Sequence, residues 1–70
     1  LAIAKIKAFG ARLQKVRRRK GMSQRRLSVE TGMSEGYLSR LEHGRVNATL
    51  EIVRRLGLAL GVKARTFFEF

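Results

Sequence analysis

The stretch Ser23-Gln-Arg-Arg-Leu-Ser-Val-Glu-Thr-Gly-Met-Ser-Glu-Gly-Tyr-Leu-Ser-Arg-Leu-Glu-His-Gly44 restricts the fold more than any other part of the chain. Two serines stand where helix N-caps are wanted. Ser23 can accept a hydrogen bond from a free N–H at the start of a helix over 24–31, and Ser34 can do the same for a helix over 35–43. Gly32 lies between them, where the chain needs a turn residue with positive φ. Leu27 and Met33 point inward from the first helix and the turn, and Leu38 and Leu41 do so from the second. Ser28 is small where two crossing helices must approach closely. The pattern describes two short helices joined at a steep angle by a short glycine turn.

The charge balance adds a partner. Sixteen Lys and Arg stand against five Asp and Glu, a net charge of +11 on 70 residues. A folded domain that basic is matched to a polyanion. A membrane surface is the competing polyanion. However, the longest apolar run is too short to span a bilayer, and residues 1–9 lack a signal-peptide core and cleavage site. A crossing helix pair on a basic domain is the arrangement that lays its second helix in the major groove of DNA. The chain has no cysteine, which excludes a disulfide framework and a thiolate metal site. His43 has too few acidic partners for a zinc site. Neither metal nor cofactor is expected. With one histidine, five carboxylates and no glycine-rich phosphate loop, there is no constellation from which to argue an enzyme.

Seventy residues make one small domain, and an apolar content of 44% is ordinary for a folded one. Residues 1–8 read as an N-terminal extension ahead of a domain over 9–70. The extension is either helical, with Ile3 and Ile6 on one face, or an extended arm. Residues 9–20 have a helical period, with Phe9, Leu13 and Val16 on one stripe. Gly21 ends that helix, and Arg18, Arg19 and Lys20 suit its carbonyl end. Gly44 closes the second helix of the crossing pair, and 45–48 is a loop. Thr49 caps a helix over 50–60 whose inward stripe is Val53, Leu56, Gly57 and Leu60. Gly61 ends it, and 64–68 form a last short helix. The expected fold is all-α and compact, with five helices and the crossing pair at about residues 24–43.

With Gly21-Met-Ser-Gln-Arg-Arg-Leu-Ser28, Gly32-Met-Ser-Glu-Gly-Tyr-Leu-Ser-Arg-Leu-Glu-His-Gly44 and Leu60-Gly-Val62 set out, the chain resembles the Cro/phage-repressor-type (XRE-like) helix-turn-helix family, whose fold is lambda-repressor-like. The resemblance runs from about Phe9 to Phe68. Residues 37–47 also look like the controller proteins of restriction–modification systems, a branch of that family. The resemblance implies sequence-specific binding of double-stranded DNA, a homodimer on a near-palindromic operator, and control of transcription as a repressor or activator in a bacterial or phage-encoded, cytoplasmic setting. Two other functions stay open: an antitoxin or similar protein-interaction module that also binds DNA, and a non-specific nucleic-acid-binding protein.

Counting about 100° per residue from Leu38 places Leu41, Glu42 and Ser34 on the inward side of the second helix. Gly36, Arg40 and His43 fall opposite, with Glu35, Tyr37 and Ser39 on the flanks. Arg40 is the leading base reader, because a guanidinium matches guanine O6 and N7 bidentately. Glu35 can accept from cytosine N4, and Ser39 can bond a base or a phosphate. Gly36 departs from the family, which often carries a DNA-touching side chain there. The resemblance implies phosphate contacts for Gln24, Arg45 and Asn47. Ser34 and His43, at the two ends of the helix, are further phosphate candidates. It also implies that Arg17 pairs with Glu42, a structural role consistent with an inward Glu42 that needs a partner. Arg17 to Lys20 are spread around a helix, so the four cannot all face DNA. Three late phenylalanines, Phe67, Phe68 and Phe70, are too many for the end of so small a domain. Phe67 can close the core, and the group is the candidate dimerisation surface. A face covered by a further segment of a longer chain is the rival reading.

Overall fold

The computed structural model of this chain describes residues 2–69. Helix α1 spans Ile3–Arg19, α2 Gln24–Thr31, α3 Glu35–Glu42 and α4 Leu50–Leu60, and a 3-10 turn follows at Ala64–Phe68. Two differences from the expected elements have simple causes. The first helix begins six residues early, because Ile3 to Ala8 contain only good or tolerable helix formers and Ile6 is half-buried. The fifth helix is a 3-10 turn and not an α-helix, which makes four α-helices among the described residues. Thr66 N–H donates to Lys63 O at 2.9 Å, an i to i+3 bond. The Arg12 Nε–H, reaching across from α1, donates to Thr66 O at 3.0 Å.

The local signals act where they stand. Ser23 Oγ accepts from Arg26 N–H and Ser34 Oγ from Tyr37 N–H, both at 3.0 Å, while Thr49 Oγ1 accepts from Ile52 N–H at 3.2 Å. Gly32 has φ of 75° and its N–H donates to Ser28 O, ending α2 in the left-handed conformation. Ser28 Oγ donates to Met33 O. Thr31 Oγ1 donates to Leu27 O at 2.7 Å and accepts from Met33 N–H at 3.2 Å, so the buried polar atoms of the turn are satisfied.

One core gathers all elements: Phe9, Leu13 and Val16 from α1, Leu27 from α2, Met33 from the turn, Leu38 and Leu41 from α3, Val53, Leu56 and Leu60 from α4, and Phe67. Phe9 lies under the 3-10 turn, its ring centroid 5.7 Å from that of Phe67 and 5.5 Å from that of Phe68. Gly10 sets the distance between α1 and α3. A Cβ there would lie 2.2 Å from Leu41 O and 2.8 Å from Glu42 O, so α1 crosses the end of α3 backbone to backbone. No helix among the described residues is long and apolar enough to cross a membrane.

Candidate nucleic-acid interface

Helix α3 is fixed from behind and open in front. Behind, Leu38 and Leu41 are fully buried. Beside them Arg17 and Glu42 form a bidentate pair, Nε to Oε2 at 2.6 Å and Nη2 to Oε1 at 3.1 Å. Arg17 Nη1 also donates to Met22 O at 2.8 Å, and Gln24 Nε2 donates to Glu42 Oε1 at 3.0 Å. One carboxylate therefore collects α1, the start of α2 and the end of α3. In front, Glu35, Gly36, Arg40 and His43 are exposed, and Ser39 and Tyr37 are half-buried on the flanks.

Ser34 differs from the angular count: it is exposed. As the N-cap it has extended backbone, φ −70° and ψ 153°, so the helical count does not reach it. Its position beside the exposed end of α3 suits a phosphate. His43 is the C-cap, and its Nδ1 lies 2.7 Å from Ser39 O. That contact needs the hydrogen on Nδ1, since a carbonyl oxygen only accepts. Ser39, Arg40, His43 and Arg45 line one shallow cleft, and Asn47 is exposed on the loop that follows. Gln24 stands half-buried at the N-terminus of α2, held by Glu42.

Some arginines are held by carboxylates and others are not. On α4, Arg54 grips Glu51 through two hydrogen bonds at 2.9 and 2.6 Å. That grip holds the Glu51 carboxyl below its ordinary range. Arg26 lies 3.6 Å from Glu30 on α2. On the α3 face, no carboxylate among the described residues lies within ion-pair distance of Arg40 or Arg45. Arg40 instead lies over the Tyr37 ring, its Cζ 5.7 Å from the centroid.

The late phenylalanines need a correction. Phe67 is fully buried in the core and offers no surface to a partner. Phe68 is 38% exposed, and Phe70 lies outside the described residues. The exposed apolar surface continues instead along α4, where Leu50 and Leu58 are 89% and 70% exposed and share a groove with Phe68. The helical stripe rule finds only the inward face of α4 and passes over this outer one. The Gln24–Glu42 contact and the Tyr37–Arg40 stack were also missed. Only the spacing of three between Tyr37 and Arg40 hinted at the second.

A helix-turn-helix domain family model matches residues 8–66. An HTH-type transcriptional regulator of Sinorhizobium fredii, y4dJ, is 41% identical over 56 residues, 80% of this chain and 73% of that protein. The control protein C.BamHI of Bacillus amyloliquefaciens is 32% identical over 63 residues, 89% of this chain and 78% of its own length. The crystal structure of the restriction-modification controller protein C.AhdI from Aeromonas hydrophila superposes with a TM-score of 0.89 at 34% identity, covering 93% of this chain and 98% of that one. The chain belongs to the helix-turn-helix domain family, among transcriptional regulators and controller proteins.

Proposed function

We propose that this chain regulates transcription by binding a specific double-stranded DNA sequence, with α3 in the major groove. The reading rests on one observation above the others: the outer face of α3 presents Arg40 with no carboxylate partner among the described residues, on a helix whose inner face is locked by the buried Arg17–Glu42 pair. Arg40 reads guanine, and Glu35 and Ser39 supply an acceptor and a hydroxyl to neighbouring bases. Gln24, Ser34, His43, Arg45 and Asn47 surround them and hold the phosphates that set register. The protein acts by binding and not by catalysis, and it works in the cytoplasm, where the chromosome is. The test is selection from a random duplex pool, followed by comparison of the selected and random duplexes at fixed salt. Specific binding is expected to exceed random binding by about 10³-fold or more, with a log–log salt slope of roughly −4 to −8 for a dimer. Equal affinity for both duplexes refutes sequence-specific regulation, and a near-flat salt dependence refutes phosphate binding.

The active species is a homodimer on a near-palindromic operator, its two α3 helices about 34 Å apart. Leu50, Leu58 and Phe68 support this, since they line one apolar groove at the surface. Leu58→Glu is expected to sediment as a monomer at concentrations where the parent is dimeric, with its helical circular dichroism unchanged. A dimer of unchanged affinity would place the interface elsewhere.

A further inference from the structure

We propose that Tyr37 is a positioning residue for Arg40, and that its aromatic ring, not its hydroxyl, sets discrimination at the base pair Arg40 reads. The proposal rests on the assignment of Arg40 as a base reader. Tyr37 is half-buried and packs against the core, so its ring is anchored by the same contacts that seat α3. Arg40 follows three residues later on the same helix, with its guanidinium carbon 5.7 Å from the ring centroid, inside the range of cation–π attraction. Gly36 completes the bed. A Cβ at Gly36 would lie 3.6 Å from Arg40 Nη1, so the guanidinium lies beside the space that a larger side chain at 36 would fill.

The choice of partner matters chemically. A carboxylate, as between Glu51 and Arg54, holds an arginine by occupying its N–H donors. Those are the donors a guanine needs. A ring attracts the cation through its π electrons and leaves the donors available. The side chain is thereby restrained before DNA arrives, so less rotamer freedom is lost on binding.

The experiment compares the parent with Tyr37→Phe, Tyr37→Leu and Arg40→Ala, each against the selected duplex, the same duplex changed at the Arg40 base pair, and random duplex, at one salt concentration. Tyr37→Leu is expected to stay folded, melting somewhat below the parent because it trims a ring packed on the core, and to keep the parent's random-duplex affinity. Its discrimination should fall about two- to fivefold per half-site. Tyr37→Phe should keep the parent's discrimination, and Arg40→Ala should lose it. If Tyr37→Leu unfolds, Tyr37→Met carries the same expectation. Arg40→Ala with intact discrimination would remove the base-reader assignment itself. Arg40→Ala without discrimination beside a fully discriminating Tyr37→Leu would leave that assignment standing and refute the positioning role. Equal weakening of every duplex by Tyr37→Phe and Tyr37→Leu would make the hydroxyl a phosphate ligand and overturn the proposal.

Discussion

Arg17→Ala is expected to lower the free energy of unfolding by about 3–5 kcal/mol, because it strands a buried carboxylate. The Glu42 side chain is fully buried and accepts from three donors, two of them on Arg17. The variant leaves it with Gln24 alone. The Met22 carbonyl loses its donor as well, so the link between α1 and α2 loosens together with the seat of α3. A loss of this size is comparable with the whole stability of a marginal domain, at about 5 kcal/mol for the least stable. Arg17→Met combined with Glu42→Leu is expected to recover much of it, since no buried charge is left unpaired. Recovery should be incomplete, because Gln24 and the Met22 carbonyl must then turn to water. Urea denaturation of both variants beside the parent, with random-duplex affinity measured in parallel, gives the answer. An unchanged midpoint with weakened DNA binding would move Arg17 to the phosphate contacts.

What was legible in the sequence was what is decided within one turn of chain. Ser23, Ser34 and Thr49 cap, and Gly32 and Gly61 end, the helices α2, α3 and α4 with little help from the rest of the fold. The inward stripes were legible for the same reason, since a 3.6-residue period is local. The start of α1 was not, because Ile3 to Ala8 suit a helix or an arm equally until packing against the rest of the domain decides. Phe67 and Phe68 are adjacent and chemically identical. Only the placement of α1 beneath them makes one core and leaves the other partly exposed. On the candidate interface, the angular count identified the open face of α3. It did not reveal how Arg40 is held, which depends on rotamers as well as on spacing.

Gly10→Ala is expected to cost roughly 3 kcal/mol, at the upper end of the usual overpacking range, although propensity alone predicts the opposite sign. Alanine in place of a mid-helix glycine normally stabilises by about 0.5–1 kcal/mol. At Gly10 the new Cβ would lie 2.2 Å from Leu41 O, 2.8 Å from Glu42 O and 3.0 Å from the Glu42 carbonyl carbon. All three are backbone atoms at the end of α3, so no side chain can rotate aside and the helices themselves must part. Parting them draws Glu42 away from Arg17, so the two losses share a cause, and combining Gly10→Ala with Arg17→Ala should cost less than the sum. Gly36→Ala is the control on the same helix pair. Its Cβ would meet only Arg40 Nη1, at an ordinary 3.6 Å, so alanine there should stabilise by about 0.5–1 kcal/mol. Urea midpoints moving in opposite directions for the two glycines would establish that backbone contact, not helix propensity, fixes Gly10. A Gly10→Ala midpoint at or above the parent's would mean that α1 can retreat from α3 without loss, and that this crossing does not hold the recognition helix in place.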